Sequence, residues 1–187
     1  MFSLLSTDSG TVVAGGSDGS VEMWDLEGGK QGNVMAKEHL RLVGSLAKAQ
    51  EQTFLSASED ATIRLWDLRL KQSVGSFVGH DGPVRALFWR DQTIYSGSED
   101  ASIGVWDIRS RSQIEALRTK DPINSLLIYK NCLISAGRAL TIWRLSGPHK
   151  MRFHTNSITA ICPLPALDLL ATASRDCSIA VWKPYNL

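Results

Sequence analysis

Long apolar runs are missing from this 187-residue chain. No stretch approaches the roughly eighteen consecutive apolar residues that a membrane span needs, and the opening MFSLLSTDSG lacks the basic flank and apolar length of a signal peptide. Cysteine is also scarce: Cys132, Cys162 and Cys177 are odd in number and lack the CxxC spacing of zinc sites. We therefore expect no membrane partner, no disulfide framework and an intracellular location, in the cytoplasm or the nucleus.

The sequence also lacks an excess of either charge. Twenty basic residues stand against 19 acidic ones, which gives a formal net charge of +1. A strongly basic balance is typical of nucleic-acid-binding proteins, so this composition gives no reason to expect nucleic acid as a partner. The hydrophobic share of 43% and the charged share of 21% are those of an ordinary globular domain.

Tryptophan, by contrast, is plentiful and regularly placed. Five of the six copies recur with spacings of 42, 40, 37 and 39 residues, and a period near forty is typical of stacked supersecondary units. We interpret residues 1–187 as one array of five repeat units. The units end near Trp24, Trp66, Trp106, Trp143 and Trp182.

The residues around each of these tryptophans predict β-strands. Alternating segments such as TIRLW and SIAVW end at the tryptophan, and a second strand-like run precedes each of them. Turns such as SDGS, EDAT, EDAS and RDCS join the two runs as hairpins. A third strand is predicted further upstream, in the gap-free alignment of HLRLVGSL, HDGPVRAL and HTNSITAI. No long apolar pattern with helical period occurs, so the predicted fold class is all-β.

With His, Ser or Thr, Asp and Trp at fixed offsets, the chain resembles the WD-repeat family of β-propellers over essentially its whole length. In that family the four side chains form a hydrogen-bonded tetrad inside each blade. The resemblance implies three such tetrads here. They are His39, Ser56, Asp60 and Trp66; His80, Ser96, Asp100 and Trp106; and His154, Thr172, Asp176 and Trp182.

Two units depart from this pattern. The first has Ala14 in the Ser/Thr position, and its histidine would precede Met1. The fourth has Thr119 in place of histidine, and its shortened turn GRAL lacks the Asp. The resemblance thus implies about five blades with the first and last incomplete, most simply as a fragment of a larger propeller of about seven blades. A closed five-bladed ring and completion by another chain are the alternatives.

The recurring His, Ser and Asp do not predict an enzyme. A catalytic triad occurs once, in a cleft, whereas this set recurs three times at one offset, and buried polar groups need partners. The histidines lie about forty or more residues apart in equivalent positions of different units, so they cannot share a metal ion. We predict no catalytic residue, no cofactor and no metal.

The resemblance also implies a binding face. Partners of such propellers often contact the residue before the tetrad Asp and those that flank the first apolar residue of the inner strand. Carried onto this sequence, these positions include Glu59, Arg85, Glu99, Asn124 and Arg175. Their mixed charge suits a protein or peptide better than a nucleic-acid backbone. An ordinary solvated loop would have the same composition.

Two neighbouring units end in WDLR and WDIR. The segments FLSASEDATIRLWDLR and IYSGSEDASIGVWDIR resemble the box of WD-repeat substrate receptors in cullin-4-type ubiquitin ligases, in which the Arg helps to dock the adaptor protein. The resemblance implies an adaptor-docking edge made by Asp67, Arg69, Asp107 and Arg109. Each Arg can instead pair with the Asp of its own blade.

The predicted function is a non-catalytic scaffold for protein–protein contact. The alternatives are a substrate receptor of a cullin-4-type ligase and a WD-repeat domain within a larger signalling or enzyme chain. The sixth tryptophan, Trp89, lies outside the register and is expected to pack in the core or between blades, with an aromatic anchor for a partner as the alternative.

Overall fold

The computed structural model of the chain describes residues 3–7, 10–26, 30–50, 52–144 and 147–183, with backbone only for residues 30–33. These residues form nineteen β-strands and one 3-10 helix, Pro165–Leu167. The all-β class is confirmed. No helix in the described ranges has the length and apolar character needed to cross a membrane.

The strands form five antiparallel sheets, each a meander of consecutive strands. Sheets one to four have four strands, and the described part of sheet five has three. Sheet one comprises β1 Ser3–Ser6, β2 Thr11–Gly15, β3 Ser20–Asp25 and β4 Lys30–Lys37; sheet two, β5 Val43–Lys48, β6 Thr53–Ser58, β7 Thr62–Asp67 and β8 Gln72–Val78; sheet three, β9 Val84–Arg90, β10 Thr93–Ser98, β11 Ser102–Asp107 and β12 Ser112–Arg118; sheet four, β13 Ser125–Tyr129, β14 Cys132–Ala136, β15 Leu140–Arg144 and β16 Gly147–Met151; sheet five, β17 Ile158–Leu164, β18 Leu169–Ser174 and β19 Ile179–Trp182.

The first strands of neighbouring sheets pack side by side, so the sheets fan out as blades. Strand β1 lies against β5, β5 against β9, β9 against β13, and β13 against β17. Backbone hydrogen bonds join the blades near the start of these strands. The donors and acceptors are Val43 N to Gly16 O (3.0 Å), Ile123 N to Ser98 O (3.0 Å) and Ile158 N to Gly137 O (2.8 Å). Within sheet four, Gly137 permits a close approach to the Pro122 carbonyl, with which a Cβ would collide.

The hydrophobic core lies between neighbouring blades. In one cluster Leu55 and Ile63 of sheet two pack with Val84 and Leu87 of sheet three, and Trp106 closes the group. Each blade therefore depends on the next for burial of its apolar residues, as expected of stacked repeats.

In the first and last sheets, some apolar residues are exposed although the residues at the same repeat positions in other blades are buried. Ile179 in β19 occupies the position of Ile63 and Ile103, which are fully buried, yet it is 74% exposed. Leu4 of β1 occupies the position of Leu87 and is 62% exposed. In the described ranges no strand of sheet one packs on sheet five as extensively as neighbouring blades do. The blades form an open arc, as expected for an incomplete propeller. Sheet one nevertheless has all four strands, and what it lacks are residues of the tetrad.

Candidate functional site

The tetrad of sheet two joins the loop before β5, strand β6, the turn between β6 and β7, and strand β7. Nδ1 of His39 lies 2.9 Å from Oδ2 of Asp60, and Nε2 lies 2.6 Å from Oγ of Ser56. Nε1 of Trp66 donates to the same Oγ at 2.7 Å. Burial lowers the pKa of His39, so the imidazole is neutral near pH 7. A neutral ring that donates from Nδ1 to Asp60 accepts at Nε2 from the serine hydroxyl.

Sheets three and five repeat this geometry. In each, the imidazole bridges a carboxylate and a hydroxyl, and an indole N–H donates to the same hydroxyl. The distances are His80 Nδ1 to Asp100 Oδ2 2.9 Å, His80 Nε2 to Ser96 Oγ 2.7 Å and Trp106 Nε1 to Ser96 Oγ 2.7 Å; His154 Nδ1 to Asp176 Oδ2 3.1 Å, His154 Nε2 to Thr172 Oγ1 2.8 Å and Trp182 Nε1 to Thr172 Oγ1 2.8 Å.

A fifth side chain, which sequence analysis missed, completes each tetrad. The hydroxyl two residues after the Asp donates to its Oδ1 at 2.6 Å, from Thr62, Ser102 and Ser178. Burial raises the pKa of Asp60, but hydrogen bonds from Thr62, the Leu40 amide and His39 outweigh it and hold the pKa at about 2. The Ser or Thr that ends every turn SDGS, EDAT, EDAS and RDCS was the available signal.

The two irregular blades keep less of this network. Trp24 Nε1 is buried and has no hydrogen-bond partner among the residues that the structure describes, since Ala14 offers no hydroxyl. In sheet four Trp143 Nε1 still donates to Ser135 Oγ at 2.9 Å. The hydroxyl of Thr119, which stands in the histidine position, instead lies within hydrogen-bond distance of two backbone carbonyls, at 2.9 Å from Ala101 O and 2.7 Å from Asp121 O. It therefore does not replace the imidazole.

The Ser–His–Asp arrangement has triad-like connectivity but not the accessibility of an active site. Ser56 and Ser96 are fully buried and Thr172 is 1% exposed, so a substrate cannot reach the hydroxyl oxygen. The indole N–H also occupies a lone pair that a nucleophile would use. Within the described ranges no group of three or more His, Cys, Asp or Glu side chains could hold a metal ion. The arrangement stabilises the fold, because it gives hydrogen-bond partners to buried polar groups and fixes the turn between the two strands.

The residues expected to form the binding face are largely engaged with one another. Arg85 pairs with Glu59 at 2.8 Å and with Glu99 at 2.8 Å, which clasps sheet two to sheet three. Asn124 Nδ2 donates to the Ile158 carbonyl at 2.8 Å and links sheets four and five. Arg175 is exposed, and its guanidinium has no hydrogen bond or ion pair with the part of the chain that the structure describes. Of the five, Arg175 is therefore the side chain most available to a partner.

The WDLR and WDIR turns lie at the opposite end of the sheets from the tetrad turns, since one strand separates them in each blade. There the two arginines differ. Arg69 Nε and Nη2 donate to Asp67 at 3.1 and 2.7 Å, and this pairing, although opposed by partial burial, holds the pKa of Asp67 at about 2. Both carboxylates also accept the backbone N–H of their own Arg, Asp67 at 2.8 Å and Asp107 at 2.7 Å, and Asp107 accepts a further N–H from Ser110 at 2.8 Å. The Arg109 guanidinium makes no such fork within the described residues.

Trp89 packs against the cluster between sheets two and three and is partly buried. Its buried Nε1 has no hydrogen-bond partner among the described residues. The contacts favour the packing role.

A family model described as "WD domain, G-beta repeat" matches residues 33–67, 71–107 and 148–183, together more than half of the chain. Most of sheets one and four, whose tetrads are incomplete, lies outside the match.

Individual relatives share only part of their length with this chain. The mitochondrial division protein 1 of Chaetomium globosum is 37% identical over 150 residues, which cover 67% of this chain and 23% of that protein. The human peroxisomal targeting signal 2 receptor is 33% identical over 75 residues, which cover 38% of this chain and 23% of that one. The solved WD40 repeats of RRP9 superimpose with a TM-score of 0.84 at 25% identity, over 96% of this chain and 59% of that structure. The chain thus spans about a quarter of these two relatives.

Proposed function

Because the chain belongs to the WD-repeat family, we propose that it is a non-catalytic platform on which other proteins or peptides assemble inside the cell. WD-repeat proteins generally act as interaction scaffolds. The observation that carries the proposal is the burial of the His and the Ser or Thr of every complete set, with Ser56 and Ser96 fully covered. The polar groups that resemble a catalytic site are occupied in holding turns. What the blades offer to other molecules is the set of turns at both ends of the sheets.

The platform role is compatible with several contexts. The same turns would recruit partners whether these blades act alone or within a larger signalling or enzyme chain, and the relatives named above are much longer than the segments they share with this chain.

A second, finer proposal concerns the face that carries the two WDxR turns. We propose it as the docking edge for the adaptor of a cullin-4-type ubiquitin ligase, with the chain as substrate receptor. Arg69 lies 70% exposed, and Arg109 makes no fork with its own Asp107. A guanidinium pairs with a carboxylate through two parallel hydrogen bonds. Arg109 is ready for such a pair, whereas Arg69 would first release Asp67 or bind through its remaining nitrogen. Arg109 should therefore contribute more.

The test is quantitative affinity purification from cells with four versions of the chain. They are the parent, Arg69→Ala, Arg109→Ala, and a Lys71→Ala and Arg111→Ala control that removes two cations from the same turns. Thermal melting establishes equal folding. We expect the adaptor with the parent and the control, a severalfold loss with Arg109→Ala, and a smaller loss with Arg69→Ala.

The outcomes separate the two proposals. If the adaptor is absent from every purification, or if Arg109→Ala retains it fully, the ligase proposal is wrong while the platform proposal stands on the other partners. If the parent captures no protein above the tag alone, the platform proposal itself is wrong.

A further inference from the structure

A polar groove lies on the tetrad end of the blades, between sheets three and five. It has a volume of about 500 Å³ and adjoins a second cavity of about 380 Å³. Asp121 and Arg138 line both, so the two form one continuous surface. We call this surface the basic groove; its charged lining residues are Lys120, Arg138, Arg152 and Arg175, with Glu99 and Asp121.

The charges of the basic groove are not balanced. Its four cations are exposed, and none forms an ion pair within the part of the chain that the structure describes. Elsewhere in the arc Lys37, Arg64 and Arg85 each pair with a carboxylate. Glu99 is held by Arg85, which leaves Asp121 as the one lining carboxylate without a partner cation among the described residues.

Sheet four creates this imbalance by departing from the repeat. In sheets two, three and five the turn after the second strand carries an Asp, which is engaged by the tetrad histidine. In sheet four the turn is shortened to GRAL, so Arg138 stands in a turn that has no Asp. Compared with the complete blades, sheet four therefore has one carboxylate fewer and one guanidinium more at the tetrad end of the sheets. Arg175, in the equivalent turn of sheet five, adds a second guanidinium to the same groove.

We propose that the basic groove binds an acidic peptide segment, rich in Glu or Asp, of a partner protein. This deepens the proposed function, on which it rests. Each guanidinium can hold a carboxylate bidentately, and a row of such pairs gives both attraction and register. A nucleic-acid strand fits less well, because no exposed aromatic side chain of the described residues lines the groove to stack on a base.

The experiment measures binding of a fluorescein-labelled octaglutamate peptide by fluorescence anisotropy. The chain is compared with Arg138→Glu, with Arg175→Glu and with Arg41→Glu. Arg41 is the matched control, since it is exposed in the tetrad-end loop of sheet two and does not line the groove. Melting curves check that all four fold equally. We expect the parent to bind, each groove variant to bind about tenfold more weakly, and Arg41→Glu to bind like the parent. An octaglutamine peptide should not bind.

Three results would overturn the proposal. The parent could fail to bind octaglutamate, or Arg41→Glu could lose as much affinity as the groove variants, which would show unspecific charge attraction. A labelled uridine octamer could bind more tightly than the peptide, which would assign the groove to nucleic acid. None of these results touches the platform proposal, because affinity purification scores partners of any chemistry on either face.

Discussion

Trp24 shows what a single hydroxyl contributes to a blade. Its indole Nε1 is buried and finds no partner in the described part of the chain, whereas the indoles of Trp66 and Trp106 donate to serine at 2.7 Å. A buried donor left unpaired costs about 1–3 kcal/mol. At the residue scale the sequence predicts this defect, because Ala14 stands ten residues before the indole where the complete blades have Ser or Thr.

Restoring the hydroxyl should stabilise sheet one. We expect Ala14→Ser to raise the free energy of unfolding by about 1 kcal/mol, because Trp24 Nε1 gains an acceptor. Chemical denaturation of the parent and the variant measures the difference. In a Trp24→Phe background the same substitution should give no gain; an equal gain there, or none in either background, would contradict the assignment.

The tetrad carboxylates make stability depend on pH. Since the folded pKa of Asp60, at about 2, lies below the ordinary value of about 3.9, its contribution is fully present above about pH 4 and is lost as the pH falls through about 2. We expect Asp60→Asn to cost on the order of 1–2 kcal/mol at pH 6. The cost should shrink towards pH 2.5. Denaturant titrations of both proteins at several pH values test this, and a constant difference would refute it.

At the scale of elements, the sequence predicts the features that a local or repeating pattern encodes and misses those that no such pattern encodes. The strands β3, β7, β11 and β19 follow from local alternation, and the tetrads follow from offsets that repeat. The sequence does not predict the outermost strand β12, because its residues are exposed and show no alternation of buried and exposed positions. Among them are Gln113, Ile114 and Glu115. The clasp of Arg85 with Glu59 and Glu99 depends on how two sheets meet, which no local pattern encodes.

Because of these ion pairs, Arg85 should contribute to the free energy of unfolding, whereas Arg175 should not. We expect Arg85→Met to lower the free energy of unfolding on the order of 1 kcal/mol, because it leaves Glu59 and Glu99 as neighbouring, uncompensated charges. Arg175→Met should change it little, since Arg175 has no ion pair among the described residues. Denaturation of both variants at low salt gives the comparison. Equal effects would show that the clasp is not a stabilising element.

At the scale of the whole molecule, the exposed ends of the arc are the outstanding feature. Ile179 and Val181 of sheet five are 74% and 59% exposed, and Leu4 of sheet one is 62% exposed. The repeat shows what such positions normally meet, because Ile63 and Ile103 are buried against the next blade. Two apolar faces of this kind favour association with further sheet surface.

We therefore expect the isolated chain to self-associate as its concentration rises. Replacing Ile179 and Val181 together by Ser should reduce this association and change the free energy of unfolding by less than about 0.5 kcal/mol, since both side chains are exposed. Light scattering during size-exclusion chromatography measures the mass. Ile63→Ser, at the same repeat position in sheet two, is the control and should cost about 3 kcal/mol or more. A parent that stays monomeric at all concentrations would contradict the prediction.

The central claim is that partner proteins bind the turns at the two ends of the sheets, whereas the repeated His, Ser/Thr, Asp and Trp side chains stabilise the fold. Site-specific photo-crosslinking tests it most directly, with a crosslinking amino acid placed in turn at Arg109, Arg138 and Glu115. These positions lie on the WDxR end, on the tetrad end and on the outermost strand β12. We predict discrete protein adducts from Arg109 or Arg138 in cells and none above background from Glu115. Equal adducts from all three positions, or none from any, would contradict the claim.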